Sequence, residues 1–397
     1  MPLHLSDRHE SVLQSEIRSM TIACNKVAGI NLAQGVCDTE VPAAVRRGAR
    51  EAIEMGVNTY TRYDGREELR RAIADFYRRH RGVPCDPERE IVVSAGATGA
   101  LYCAFMALLN PGDEVIVFEP YYGYHVNTLI SQELVPRYVR LQPPAWSFSM
   151  ADLEKAISAK TRGIIINTPA NPCGKIFTRE ELETLGRIAE KRDLFVFTDE
   201  IYEHFVFDGL SHVSPLAIPG MKERTIAIGG LSKTFSITGW RIGYCICDER
   251  WSRTIGHFSD LVYVCAPAPL QMGAAAGLAQ LPRDYYTGLS ATYQVKRDKI
   301  AGALMRAGLT PFVPNGAYYI LADISKIKGT TARERTLNFL AATHVAAVPG
   351  NAFYHDETGE AMARFCFAKE DSVIDEACGR IERFRPCGQR PKKNAGQ

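Results

Sequence analysis

Two runs in this chain of 397 residues carry side chains that could do covalent chemistry. In Gly229-Gly230-Leu231-Ser232-Lys233-Thr234, followed by Gly239-Trp240-Arg241, a lysine stands just past an apolar run in a loop of small residues. Desolvation there would push its amine toward the nucleophilic free base, which makes Lys233 a candidate nucleophile. Taken alone it is more simply a solvated charge, because lysine is seldom buried. A phosphate-loop reading fails, since that motif needs Gly directly before the Lys and Ser232 stands there. In Thr198-Asp199-Glu200-Ile201-Tyr202 a carboxylate ends an apolar run and a phenol follows three residues later. A buried Asp199 stays ionised only beside a cation. A protonated pyridine nitrogen would serve, and the pairing would make its ring an electron sink for a carbanion. The plainer reading of Asp199 is a helix N-cap.

Two more segments could assist. Asn167-Thr168-Pro169-Ala170-Asn171-Pro172-Cys173-Gly174 forces turns after an apolar run, and Asn171 could offer its amide to an anionic ring oxygen. As structure only, it is a rigid loop. Ser94-Ala95-Gly96-Ala97-Thr98-Gly99 precedes a helical pattern over 100–109. Backbone N–H groups at such a helix start bind phosphate, and small residues permit close approach, although a simple cap also explains the composition. The elements that must position these segments are short apolar runs at 91–93, 114–118, 163–166, 194–197, 225–228 and 242–246. They alternate with helical periods such as 179–191, where Leu182, Leu185, Ile188 and Ala189 form one stripe. This alternation predicts an α/β core, a mostly parallel sheet with helices on both faces, whose ligands bind beyond the carboxyl ends of the strands. Beyond Trp251 come long helices, including 284–305, then strand-like runs at 317–322, 345–348 and 363–367 and a closing helix over 371–384. That half reads as a smaller α+β lobe.

In this order and on this scaffold, the chain resembles the class I aminotransferases of the fold-type I pyridoxal-phosphate (PLP) family, and within it the kynurenine and glutamine–phenylpyruvate aminotransferase group. The shared stretches include Asn31-Leu32-Ala33-Gln34-Gly35, residues 56–65 with Tyr60, Gly96-Ala97-Thr98-Gly99-Ala100-Leu101, Glu119-Pro120-Tyr121-Tyr122 and Arg364-Phe365-Cys366-Phe367. Asn171 to Asp199 is 28 residues, Asp199 to Lys233 is 34 and Lys233 to Arg241 is 8, as in that family. The resemblance implies a mostly parallel seven-stranded sheet sandwiched by helices, plus a smaller α+β domain. It implies that Lys233 forms a Schiff base with pyridoxal 5'-phosphate and shuttles the substrate proton, while Asp199 pairs with the pyridine nitrogen. Tyr202 and Asn171 would bond the ring oxygen, Tyr122 would stack on the ring and Asn167 would lie beside it. Gly96, Ala97, Thr98, Ser232 and Arg241 would hold the phosphate, with Tyr60 reaching in from a second subunit of a homodimer. Arg364 would fork the substrate α-carboxylate, with Gly35 closing over it. The departures are Gly230 where some members carry a phosphate-binding serine, Cys37 for a usual Pro and Cys173 for a usual Thr or Leu.

Bulk properties set the remaining expectations. Hydrophobic residues make up 46% and charged ones 23%, with no run long enough to span a bilayer and no secretory start, so a cytoplasmic protein without a membrane role is expected. Lys plus Arg total 47 against 45 for Asp plus Glu, both signs scattered, which gives no basic face for nucleic acid. The eleven cysteines form no Cys-x-x-Cys pair and no metal cluster is expected. The expected organisation is a segment 1–41 joining the small domain, a large PLP-binding domain 42–285, a small domain 286–387 and a flexible tail 388–397. The expected activity is transfer of the α-amino group of an aromatic, sulfur-containing or bulky L-amino acid to a 2-oxo acid. The alternatives are a PLP lyase or synthase acting on an S-substituted or sulfonium amino acid, and a non-catalytic PLP-binding regulator. Tyr121, Tyr124, His125 and Asn127 are expected to shape the side-chain pocket.

Overall fold

The structure, a computed structural model, describes residues 3–6 and 15–385; the expected tail at 388–397 lies outside them. Two compact units emerge. The first comprises Val36–Thr292 with Asn315–Ala317, and the second contains residues 15–35, Tyr293–Pro314 and residues 318–385. The expected domain edges at 42 and 286 compare with unit edges at 36 and 293.

The first unit is built on one sheet whose strands are β1 (Ile91–Ala95), β2 (Glu114–Glu119), β3 (Val135–Gln142), β4 (Ser147–Phe148), β5 (Thr161–Asn167), β6 (Phe195–Asp199), β7 (Thr225–Gly230) and β8 (Ile242–Ile246). Their order is β1-β8-β7-β6-β5-β2-β3-β4. Strands β7, β6, β5, β2 and β3 are mutually parallel, and β8 runs antiparallel to both neighbours. All six apolar runs are strands. The other two lie at one end of the order: β3, whose outer side is paired only over Leu141–Gln142, and the two-residue edge strand β4 antiparallel to it, which brings the sheet to eight where seven were expected.

Alternation along the strands feeds two apolar cores, one per face. Val92, Val117, Ile165, Phe197, Ile228 and Cys245 pack with the helices Gly96–Leu108 and Gly123–Ser131. Ile91, Val93, Ala227, Ile242 and Tyr244 pack with Leu69, Ile73 and Phe76 of the helix Glu67–Arg81 and with Ala274 and Leu278 of the helix Ala268–Gln280. Phe197 and Asp199 share the first face; Thr198 and Glu200 therefore belong to the second. The second unit holds a four-stranded antiparallel sheet with Met362–Cys366 between Tyr319–Asp323 and Val348–Pro349.

Candidate active site

Because β1, β2, β5, β6 and β7 point the same way, their carboxyl ends lie along one edge of the sheet, and the amino end of β8 joins them. That edge carries Gly96 after β1, Tyr122 after β2, Asn167 at the end of β5, Asp199 at the end of β6, Lys233 three residues past β7 and Arg241 directly before β8. This is where ligands bind in open α/β sheets.

Asp199 is 8% exposed, and its two oxygens are held separately. One accepts the Ile201 N–H at 3.3 Å, which closes a turn and caps no helix, because none begins there. The other lies 2.9 Å from His125 Nε2 of the helix Gly123–Ser131, itself buried. Facing a carboxylate, Nε2 carries the proton and donates. Asn167 ties the neighbouring strand ends together: its amide nitrogen donates to Asp199 O at 2.9 Å, and its amide oxygen accepts the Asn171 N–H at 2.7 Å. Asn171 and Tyr202 are both buried. The Tyr122 ring stacks on Tyr124 at 5.2 Å and meets His125 edge-on at 5.3 Å.

Lys233 is half-buried in a loop pinned by Leu231 N–H to Ile242 O, Phe235 N–H to Leu231 O and Ile237 N–H to Ser232 O. Residues 37–39 lie against the same loop: Cys37 Sγ is 3.8 Å from Lys233 O and Thr39 Oγ1 is 2.5 Å from Ser236 Oγ. Burial pushes the Cys173 thiol up to about 11, which keeps it protonated and unreactive.

The helix after β1 begins at Gly96, not at residue 100 as the sequence pattern suggested, and its N-cap Ala95 offers no side-chain cap. Gly96, Ala97 and Thr98 thus form the first turn, whose N–H groups have no intrahelical acceptor. Gly96 has φ +75°, and a Cβ built on it would lie 2.3 Å from Arg241 Nη2, so the guanidinium sits directly over the helix start. Arg241 Nη1 also donates to Thr238 O at 3.0 Å. A Cβ on Gly243 would come 2.4 Å from Ala97 N, which explains the missing side chain there. Tyr60 is 82% exposed, so no described residue of its own chain covers it.

In the second unit, Arg364 is fully buried on the strand Met362–Cys366. Its guanidinium lies 4.2 Å from the Tyr319 ring and 5.1 Å from the Phe353 ring, and Nη2 donates to Ala33 O at 2.7 Å. The Tyr318 hydroxyl donates to Gly35 O at 3.2 Å. A Cβ on Gly35 would fall 1.9 Å from the Tyr319 hydroxyl, so only glycine fits.

Residues 27–381 match the family model described as aminotransferase class I and II. The chain belongs to that family. A kynurenine–oxoglutarate transaminase of Dictyostelium discoideum is 33% identical over 390 residues, covering 89% of this chain and 90% of the relative. The solved N-succinyldiaminopimelate aminotransferase of Mycobacterium tuberculosis superposes with TM-score 0.92 at 31% identity, covering 96% of this chain and 99% of the other. An Escherichia coli protein with a methionine aminotransferase function also gives TM-score 0.92, at 30% identity, covering 96% of this chain and all (100%) of the other. The protein is a PLP-dependent aminotransferase of fold type I.

The aminotransferase's own atoms fit that cofactor. The Ser232 hydroxyl is buried without a hydrogen-bond partner, one residue past the Leu231 N–H bond to β8, and the uncapped turn at Gly96 faces the Arg241 guanidinium. These are donors awaiting an anion such as a phosphate. Sequence reasoning gave His125 to the side-chain pocket and missed the bond of its Nε2–H to Asp199. It also missed Tyr319 and Phe353, the rings that sandwich Arg364. A tyrosine beside a buried arginine has no short-range sequence signal; 45 residues separate Tyr319 from Arg364.

Proposed function

We propose that the site residues divide as follows. Lys233 is the covalent anchor of PLP and the base that moves the proton at the substrate Cα. When bound, the cofactor supplies an electron sink for the carbanion formed there. Asp199 holds the pyridine N–H, and His125 fixes the orientation of that carboxylate. Tyr202 and Asn171 donate to the ring oxygen, Tyr122 stacks on the ring face, and Asn167 braces the two strand ends. The N–H groups of Gly96, Ala97 and Thr98, with Ser232 and Arg241, hold the phosphate. Arg364 takes the α-carboxylate of the substrate and Gly35 closes over it, and Asn171 is a further substrate ligand. The observation that carries this reading is the buried Asp199, held by His125 on the same sheet edge as Lys233, Gly96 and Arg241.

Kynurenine in the name of one relative and methionine in that of another support an aromatic or sulfur-containing amino donor and a 2-oxo acid acceptor. The aromatic run Tyr121, Tyr122 and Tyr124 suits such side chains. A homodimer that shares its sites is part of the same reading. The exposed Tyr60, Met55 and Leu261, at 82%, 70% and 76%, support it as apolar surface wanting cover. A cytoplasmic setting belongs to it too, supported by thiols such as Cys103 and Cys366 buried as core residues. Among the described residues no helix is long and apolar enough to cross a membrane.

The test is an absorbance titration of the holoenzyme with kynurenine, phenylalanine and methionine singly. Conversion to the pyridoxamine form with release of the matching 2-oxo acid is expected. Release of thiol or ammonia with the cofactor unchanged would overturn the reading in favour of elimination.

A further inference from the structure

On the opposite face of β6 from Asp199 lies a buried polar cluster that the roles above do not use. Thr198 and Glu200 point into it, each 0% exposed. The Glu200 carboxylate accepts from the Thr198 hydroxyl at 2.6 Å, the Ser214 hydroxyl at 3.2 Å and His212 Nε2 at 2.7 Å. The other ring nitrogen of His212, Nδ1, is buried with no hydrogen-bond partner. His212 thus meets Glu200 through Nε2 alone, and the carboxylate receives three donors. The Glu200 N–H also bonds Ile228 O at 2.9 Å, tying the residue to β7, which leads to Lys233.

The charges around it do not cancel. Glu203 is buried; burial opposes its ionisation, but the Arg81 guanidinium outweighs that and holds its carboxyl at about 2. Arg81 Nε and Nη2 both reach Glu203 Oε2, at 2.8 and 2.5 Å. Burial, helped by the Arg81 charge, brings His204 down to about 3 despite Glu203, so it is neutral. Tyr77 from the helix Glu67–Arg81 and Tyr244 from β8 are pushed well above the usual phenol range by burial first, then by neighbouring groups that include the two carboxylates, and stay protonated. Arg79 and Arg283 bear on His80, at the outer rim. Glu203 pairs with Arg81, whereas the partners of Glu200 are two hydroxyls and an imidazole, with no lysine or arginine within ion-pair distance among the described residues. On the Asp199 face His125 bonds the carboxylate and the Tyr122 phenol ring meets His125 edge-on.

We propose that Glu200 is a positioning residue for the cofactor's ring: its fixed negative charge behind β6 adds to that of Asp199, and its bonds lock the Asp199–Tyr202 turn. This rests on the cofactor reading above. A second anion favours the cationic form of whatever titrates on the bound ring system. At an effective dielectric of about 20, loss of one such charge lowers a nearby cation's midpoint by about one pH unit, tenfold in the protonation equilibrium.

The experiment is a pH titration of the Lys233-bound cofactor's absorbance in purified holoenzyme. Glu200→Gln is expected to lower the midpoint by about one pH unit. Glu200→Asp, which keeps the charge, is expected to stay near wild type. Should the Gln variant not fold, Glu200→Leu with His212→Leu removes both partners and leaves neither stranded, and it is expected to show the same downward shift. An unchanged midpoint in the charge-free variants, whatever their melting temperatures, would make Glu200 purely structural and overturn the proposal. An equal shift in Glu200→Asp would overturn it as well. A wild-type protein lacking any pH-dependent cofactor band would sink the cofactor reading beneath it, an outcome separate from a band that ignores Glu200.

Discussion

Lys233 and Asp199 stand out at the scale of single residues because their environments decide their chemistry. A lysine three residues past a strand, in a loop held by three backbone hydrogen bonds, can be presented repeatedly to one atom. We expect Lys233→Ala to abolish turnover and to leave PLP removable by dialysis, as followed by absorbance of the dialysed protein. His125→Leu should leave the fold intact but free one Asp199 oxygen. A hydrogen bond to a charged group is worth about 1.5–3 kcal/mol, so kcat should fall about 10- to 100-fold with a smaller change in KM, as steady-state kinetics would show. The sequence made Lys233 and Asp199 legible through residue type and spacing. It could not reveal His125, whose partner is 74 residues away, nor the Glu200–His212 pair, where a glutamate read without its surroundings looks like a solvated one.

Elements aim these side chains, and here the strand ends do most of the aiming. The six strands from β1 to β8 other than β3 and β4 were legible because each is a short apolar run buried along most of its length. Strand β3 escaped notice: it carries Pro136, Arg137 and Arg140, its burial is partial, and an outer side left mostly unpaired tolerates both proline and charge. The helix at Gly96 began four residues earlier than its apolar period suggested, because Gly and Thr in a first turn add nothing to a hydrophobic stripe. That earlier start is what brings Gly96 under Arg241. Gly96→Ala would put a methyl at φ +75° and 2.3 Å from Arg241 Nη2. We expect it to displace the guanidinium and weaken PLP affinity by about tenfold or more, the cost of one charged contact, measured by equilibrium titration of apoenzyme.

For the whole molecule, the exposed Tyr60 makes a claim about assembly. If each site borrows Tyr60 from a partner, Lys233→Ala and Tyr60→Ala subunits are both poorly active alone. Unfolding and refolding them together should restore about a quarter of wild-type activity, because half of the dimers are hybrids with one complete site each. No recovery after mixing would place Tyr60 outside the partner's site. The buried Glu203 and His204 make a claim about acid. Both have folded values below their ordinary ones, Glu203 at about 2 against 4.5 and His204 at about 3 against 6.5, so the unfolded chain binds more protons than the folded one in those windows. Their contribution is intact above pH 6.5 and is lost as pH falls, first through His204 and then below 4.5 through Glu203 as well. Each costs up to about 1.4 kcal/mol per pH unit within its window. Denaturant unfolding at stepped pH should show this slope, and His204→Phe should flatten it between pH 6.5 and 4.5 by the share of one proton.

The most direct measurement is borohydride reduction of the PLP-saturated holoenzyme, followed by peptide mass spectrometry. The expected result is a single reduced pyridoxyl adduct, on Lys233, with loss of the visible absorbance band. A colourless protein, or an adduct on any other lysine, would contradict the site described here.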